Sequence, residues 1–95
     1  MIRYVTLLRF TDQGTRALQQ SPQRANAFRE AAQREGVQVE SQLWTSGAFD
    51  GLLILTANDE QSILRALALL AAQGNVRTES ARAFDAAEFD KIVHR

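Results

Sequence analysis

The sequence predicts an α+β domain in the order βαββαβ, closed by a short helix. Three observations lead there. Four segments of strand length carry alternating or continuous apolar residues. Two longer segments carry apolar residues at helical spacing and stop at Gly36 and Gly74. Of the four strands, the first and third are apolar on both faces, in YVTLL and LLIL. Strands of that kind belong in the middle of a sheet.

The first strand runs from about Ile2 to Phe10, and TDQGT breaks its pattern, with Asp12 as an expected cap. A short helical turn is expected around Ala17 to Gln20. Ser21-Pro22 reads as a helix start, a capping side chain followed by the residue that fits the first turn. That helix runs to about Glu35 with Ala25, Phe28 and Ala32 on one face. The second strand, VQVESQLW, places Val37, Val39 and Leu43 on one side, with Ser41 as an exception, and Gln38, Glu40, Gln42 and Trp44 on the other. It reads as an edge. TSG turns the chain into the third strand, FDGLLILT. Asn58 is the expected cap of the second long helix, about Asp59 to Ala72. Its ALALLAA stretch is apolar nearly all round, more than one sheet contact requires. NVRTESARAF is a polar, alternating edge strand. Asp85 and Glu88 form a capping-box pattern that opens a last helix with Phe89, Ile92 and Val93 on its apolar side.

Right-handed crossovers put both long helices on one face of the sheet. The result is the ferredoxin-like arrangement, an antiparallel sheet of strand order 4-1-3-2. Its other face stays open, yet the central strands supply it with apolar side chains. A sheet face of that kind calls for a partner, and a second copy is the simplest one. The expectation is a homo-oligomer, a dimer or a multiple of dimers.

Bulk properties narrow the function. The chain has 95 residues, room for a single domain spanning 1–95. A domain of that size buries only about two-thirds of its unfolded surface, so a partner subunit adds useful burial. A net charge of zero gives no pull toward nucleic acid or an anionic membrane. The start, MIRYVTLLRF, alternates like a strand and not like a leader, and ILRALALLAAQGNV is too short to span a bilayer. A cytoplasmic protein is the expectation. With no Cys and one His, the terminal-region His94, no metal or cofactor site is expected. A phosphate-binding loop, a serine hydrolase elbow and the aromatic signature of RNA-recognition modules are all missing from the sequence.

The candidate binding residues sit in two places. WTSGAFDG offers Trp44 and Phe49 as apolar surface and Asp50 as a point charge for an amine or hydroxyl. As structure alone, the same residues make a turn with an aromatic anchor and a carboxylate that accepts main-chain N–H groups. The edge strands offer Arg77 and Glu79 on one face. They serve either as solvated charges that discourage edge pairing or as ligand contacts, Arg77 matching a carboxylate. Thr6, on a central strand, reads as a packed hydroxyl that a cavity would turn toward a ligand.

YVTLLRFTDQGTRAL, SPQRANAF, WTSGAFDGLLIL and GNVRTESARAFDAAEFDKI together resemble the GYD domain family over nearly the whole chain. The family is named for a Gly-Tyr-Asp signature. Here Ala48 follows Gly47, and Phe49-Asp50 holds the aromatic-acid pair, so any role of the tyrosine hydroxyl is missing. The resemblance implies membership of the dimeric α/β-barrel group, whose subunits pack sheet to sheet. Gly47-x-Phe49-Asp50 is also similar to the hairpin of the effector domain of leucine-responsive transcription regulators, which bind amino acids at subunit interfaces. Three functions follow as expectations. The first is a small-molecule-binding or sensor-type domain with its pocket at the sheet interface or the hairpin. The second is a cofactor-free enzyme of the dimeric α/β-barrel kind. The third is a purely structural assembly module.

Overall fold

The computed structural model describes residues 1–94. Its elements are β1 (Ile2–Phe10), α1 (Asp12–Arg16), a 3-10 turn (Leu18–Gln20), α2 (Ser21–Arg34), β2 (Gln38–Trp44), β3 (Gly51–Ala57), α3 (Glu60–Ala72), β4 (Val76–Arg82) and α4 (Ala86–Val93). The strands form one antiparallel sheet in the order β2-β3-β1-β4, the expected arrangement read from the other edge.

The two central strands set the register. Tyr4 lies opposite Leu55, Thr6 opposite Leu53 and Leu8 opposite Gly51, all on the side covered by α2 and α3. There Leu53, Leu55, Val37, Val39, Ile63 and Phe28 form a buried core. Thr6 is wholly buried among them, and its hydroxyl is satisfied by Ser80 at 2.9 Å. Tyr4 donates its hydroxyl to Glu60, which ties β1 to the start of α3. The opposite side presents Val5, Leu7, Leu52 and Ile54, all half-buried, with Leu43 56% exposed. The open face is therefore an apolar strip.

Three local expectations change. The cap of α1 is Thr11, whose hydroxyl accepts from Gly14 N–H, and Asp12 enters the first turn instead. The cap of α3 is Asp59, one residue after Asn58, with its carboxylate on Ser62 N–H at 2.8 Å. That bond holds the Asp59 carboxyl below its ordinary value. Ser21 is the first residue of α2 and not its cap, and its hydroxyl accepts the Trp44 indole N–H at 3.0 Å. Gly36 and Gly74 do close α2 and α3, at φ +81° and +78°.

The larger correction concerns β2. Val39 pairs with Leu55 but Ser41 pairs with the adjacent Ile54, so the register shifts at this point. The extra residue reverses which side chains face which side. Before the shift, Glu40 faces the open side and accepts Thr56 Oγ1 at 2.9 Å. After it, Leu43 faces the open side, while Gln42 and Trp44 turn to the helix side. Glu40, Gln42 and Trp44 therefore do not share a face, and the Ser41 exception in the alternation is this bulge.

TDQG and the loop before β4 hold one another. Thr11 N–H donates to Asn75 O at 3.0 Å and its hydroxyl to Gly74 O at 2.6 Å. The Gln13 amide donates to Gln73 O and to Asn75 Oδ1, both at 2.9 Å. Gly14 lies so close to the Asn75 carbonyl that a Cβ would collide with it.

α4 stands apart. Its capping box is complete, with Asp85 on Glu88 N–H and Glu88 on Asp85 N–H, each at 2.8 Å. Arg3 grips it through Glu88 at 2.7 Å. Otherwise α4 makes little contact with the rest of the chain, and Phe89, Ile92 and Val93 are exposed. The radius of gyration of 14.1 Å reflects that projection, since a compact chain of this length measures about 12 Å.

Two outcomes are expected. Gly14→Ala will lower stability by about 1–3 kcal/mol in urea unfolding, because main chain and not a flexible side chain must give way. Glu88 lies below the ordinary 4.5, first through the Asp85 N–H and then through Arg3. A depressed folded-state pKa gives a contribution that is complete above the unfolded value and lost as pH falls through the folded one. Amide signals of α4 will therefore drift toward random coil on acidification below 4.5, ahead of those of the sheet.

Candidate functional site

The β2–β3 hairpin positions three of the candidate residues, Trp44, Phe49 and Asp50, and β1 decides which way they point. Thr45 N–H donates to Asp50 O, and Asp50 N–H donates to Leu8 O at 2.8 Å. The second bond departs from the β1–β3 register, which would set Asp50 opposite Arg9, and it fixes the Asp50 side chain beside the end of β1. There one carboxylate oxygen accepts Phe10 N–H at 2.8 Å. The expected turn role of Asp50 takes this form: it closes the end of the β1 ladder. Gly47 turns the hairpin at φ +121°, a conformation L side chains rarely adopt.

The candidate residues fall into three groups. Trp44 and Asp50 lie on the helix side, together at one end of the sheet. Phe49 and Glu79 lie on the open side and meet at Arg9. The Arg9 guanidinium sits 4.4 Å from the Phe49 ring centroid, donates to Glu79 at 2.7 Å and to Ala48 O at 3.2 Å. Arg77 lies opposite Arg9 on that side and makes no ion pair among the described residues. Thr6 is sealed in the core, away from both, with its hydroxyl hydrogen-bonded to the exposed Ser80.

Each group can do something different. The Arg9 cluster is exposed, so its ion pair adds little stability, and its geometry rests on the stacked ring. Together with the Arg3–Glu88 pair it brackets the apolar strip of the open face with charges. On the helix side, Trp44 and Asp50 stand at a cleft of about 170 Å³ between α2, α3 and the sheet. Leu8, Leu53 and Gly51 contribute from the sheet, Phe28 and Ala31 from α2, and Leu69 and Leu70 from α3. Asp50 and Trp44 also border a shallower groove with Thr15, Leu18 and Pro22.

Phe28 is expected from the sequence only as part of the packed face of α2, and Arg9, Leu69 and Leu70 are not singled out there. The surplus of apolar residues in ALALLAA is the signal that pointed to the last two: one set packs on the sheet, and Leu69 and Leu70 line the cleft. Arg9 carried no signal beyond being a charge at the end of an apolar strand. Among the described residues no group of three or more His, Cys, Asp or Glu side chains is placed to hold a metal ion. No helix among them is long and apolar enough to cross a membrane.

The Asp50 contact gives a direct test. Asp50→Ala removes the acceptor of Phe10 N–H, and we expect a loss of about 1–2 kcal/mol in chemical unfolding. Asp50→Asn keeps an acceptor oxygen, and most of that loss should be recovered.

Among proteins of known name, one from Thermus thermophilus is called glutamine synthetase and cystathionine beta-lyase binding protein. It is 29% identical over 89 residues, covering 93% of this chain and 94% of its own length. No solved structure matches. The family model described as GYD domain matches residues 4–93, which include the interlocked TDQG and GNV loops, the Gly47–Asp50 hairpin and α4. On that span the chain belongs to the GYD domain family.

Proposed function

We propose that this chain is a small binding protein that assembles through its open sheet face and, once assembled, docks on an enzyme. The observation that carries the reading is the apolar strip of Val5, Leu7, Leu52, Ile54 and Leu43, which nothing among the described residues covers. A second copy suits the strip well. It is continuous across the central strands, and charged pairs at either end, Arg3–Glu88 and Arg9–Glu79, favour one register. Two such sheets packed face to face would give the dimeric α/β-barrel arrangement. The exposed Phe89, Ile92 and Val93 of α4 would lie beyond the end of the sheet, where the second copy is within reach.

The enzyme partner is suggested by the name of the Thermus thermophilus relative, which specifies binding to two enzymes. A cytoplasmic location fits such partners. Catalysis of its own has less support: the strongest polar cluster of the open face is an exposed Arg9–Glu79 pair stacked on Phe49. That arrangement holds charge at the rim and leaves the centre of the face apolar.

Two experiments test the reading. Light scattering at micromolar concentration should give more than one chain per particle, and Ile54→Glu should shift it to single chains with an unchanged circular dichroism spectrum. A single-chain mass for the unsubstituted protein overturns the assembly. Glutamine synthetase and cystathionine beta-lyase of the encoding organism, passed separately over immobilised chain, should be retained by the unsubstituted protein and not by Ile54→Glu. Retention of neither removes the enzyme partner and leaves assembly standing.

A further inference from the structure

We propose that the cleft between α2, α3 and the sheet is a binding site for a small monocationic amine with a compact apolar body, of about one ring. This site lies on the opposite face from the assembly surface and does not depend on it. Three features of the cleft lead to that class of ligand.

The first is size and lining. A cavity of about 150 Å³ with aliphatic and aromatic walls holds a benzene ring. This one measures about 170 Å³, with Leu53, Phe28 and Leu70 among its walls. The second is charge. Asp50 is the carboxylate that reaches the cleft, and it is half-buried. One of its oxygens accepts Phe10 N–H, and the other accepts no hydrogen bond among the described residues. An ammonium group would complete it with a charge-assisted hydrogen bond in a partly desolvated place. The cationic residue in the lining, Arg24, is already engaged, donating to Ala17 O at 2.7 Å. An anionic ligand would therefore meet the Asp50 carboxylate, and to use the Arg24 charge it would have to draw the guanidinium away from the Ala17 carbonyl. The third is the aromatic edge. Trp44 stands at the mouth, 50% exposed, with its indole N–H anchored on Ser21 at 3.0 Å. A fixed indole beside a carboxylate is a favourable setting for an organic cation.

Trp44 is the single tryptophan of the chain, so its fluorescence reports on the cleft directly. The probes are 2-phenylethylamine, its neutral counterpart 2-phenylethanol and the anion phenylacetate. The amine should change Trp44 emission saturably, with a dissociation constant on the order of a millimolar or tighter. It should bind roughly tenfold better than the alcohol and better still than the acid. Asp50→Asn, which keeps an acceptor for Phe10 N–H, should abolish that preference. Ala31→Phe places a ring between α2 and α3 and should abolish binding of all three probes. The amide signals of Phe28, Gly51 and Leu69 should move with the amine and no others should move as far.

Absence of saturable binding up to about 10 mM amine overturns the site. So does binding that survives Ala31→Phe in a folded variant. Equal binding of the alcohol or the acid overturns the amine assignment. That comparison is made on the unsubstituted protein, so the charge preference is decided even if Asp50→Asn fails to fold.

Discussion

The antiparallel pairing of β1 with β3 is the constraint on which the rest of this molecule depends. Val5 opposite Ile54 and Leu7 opposite Leu52 put apolar side chains on one face, while Thr6 opposite Leu53 and Tyr4 opposite Leu55 put a second set on the other. Both crossovers bring their helices to the second face. The chain therefore has one covered face and one bare face, and its functional possibilities divide the same way. The covered face can hold a small molecule between helix and sheet. The bare face can hold another protein surface. Burial of the bare strip against a second copy would add hydrophobic stabilisation that a domain of this size lacks on its own.

The same division sorts the hairpin residues. Trp44, Phe49 and Asp50 are adjacent in sequence and look like one site. The ladder from Asp50 to Leu8 and Phe10 turns the carboxylate toward the helices. Phe49, one residue earlier, is turned to the other side and lies under Arg9. Leu8 pairs with Gly51 yet also accepts the Asp50 N–H, so alternation breaks between Asp50 and Gly51 and leaves Asp50 and Phe49 on opposite sides, which keeps the three out of one pocket within one chain. The hairpin is therefore a hinge between two surfaces, one wall of each.

Strand order was legible because it rests on two-sided apolar runs, and those cannot be satisfied at an edge. The caps were legible to within a residue: Thr11 for Asp12 and Asp59 for Asn58 are exchanges between neighbouring side chains of equal capping chemistry. The bulge in β2 was not legible. It shifts Trp44 from one face to the other, yet its only mark in the sequence is Ser41, a small polar residue that fits either side. The interlocking of TDQG with Gly74 and Asn75 was hidden for a different reason. Each block reads as an ordinary turn, and only the return of the chain along β4 brings Thr11 and Gln13 onto the carbonyls they satisfy. The cleft was half legible. The surplus of leucines in α3 announced an extra contact, but Ala31 and Phe28 on α2 had to be placed before the space between them existed.

The central claim is that the bare sheet face is covered by a second copy of the chain. Isotope-filtered nuclear Overhauser spectra on an equal mixture of methyl-labelled and unlabelled protein test it most directly. The account predicts intermolecular contacts to the methyl groups of Val5, Leu7, Leu52 and Ile54. Intermolecular contacts confined to Leu64, which is 54% exposed on α3, or none at all at millimolar concentration, would contradict it.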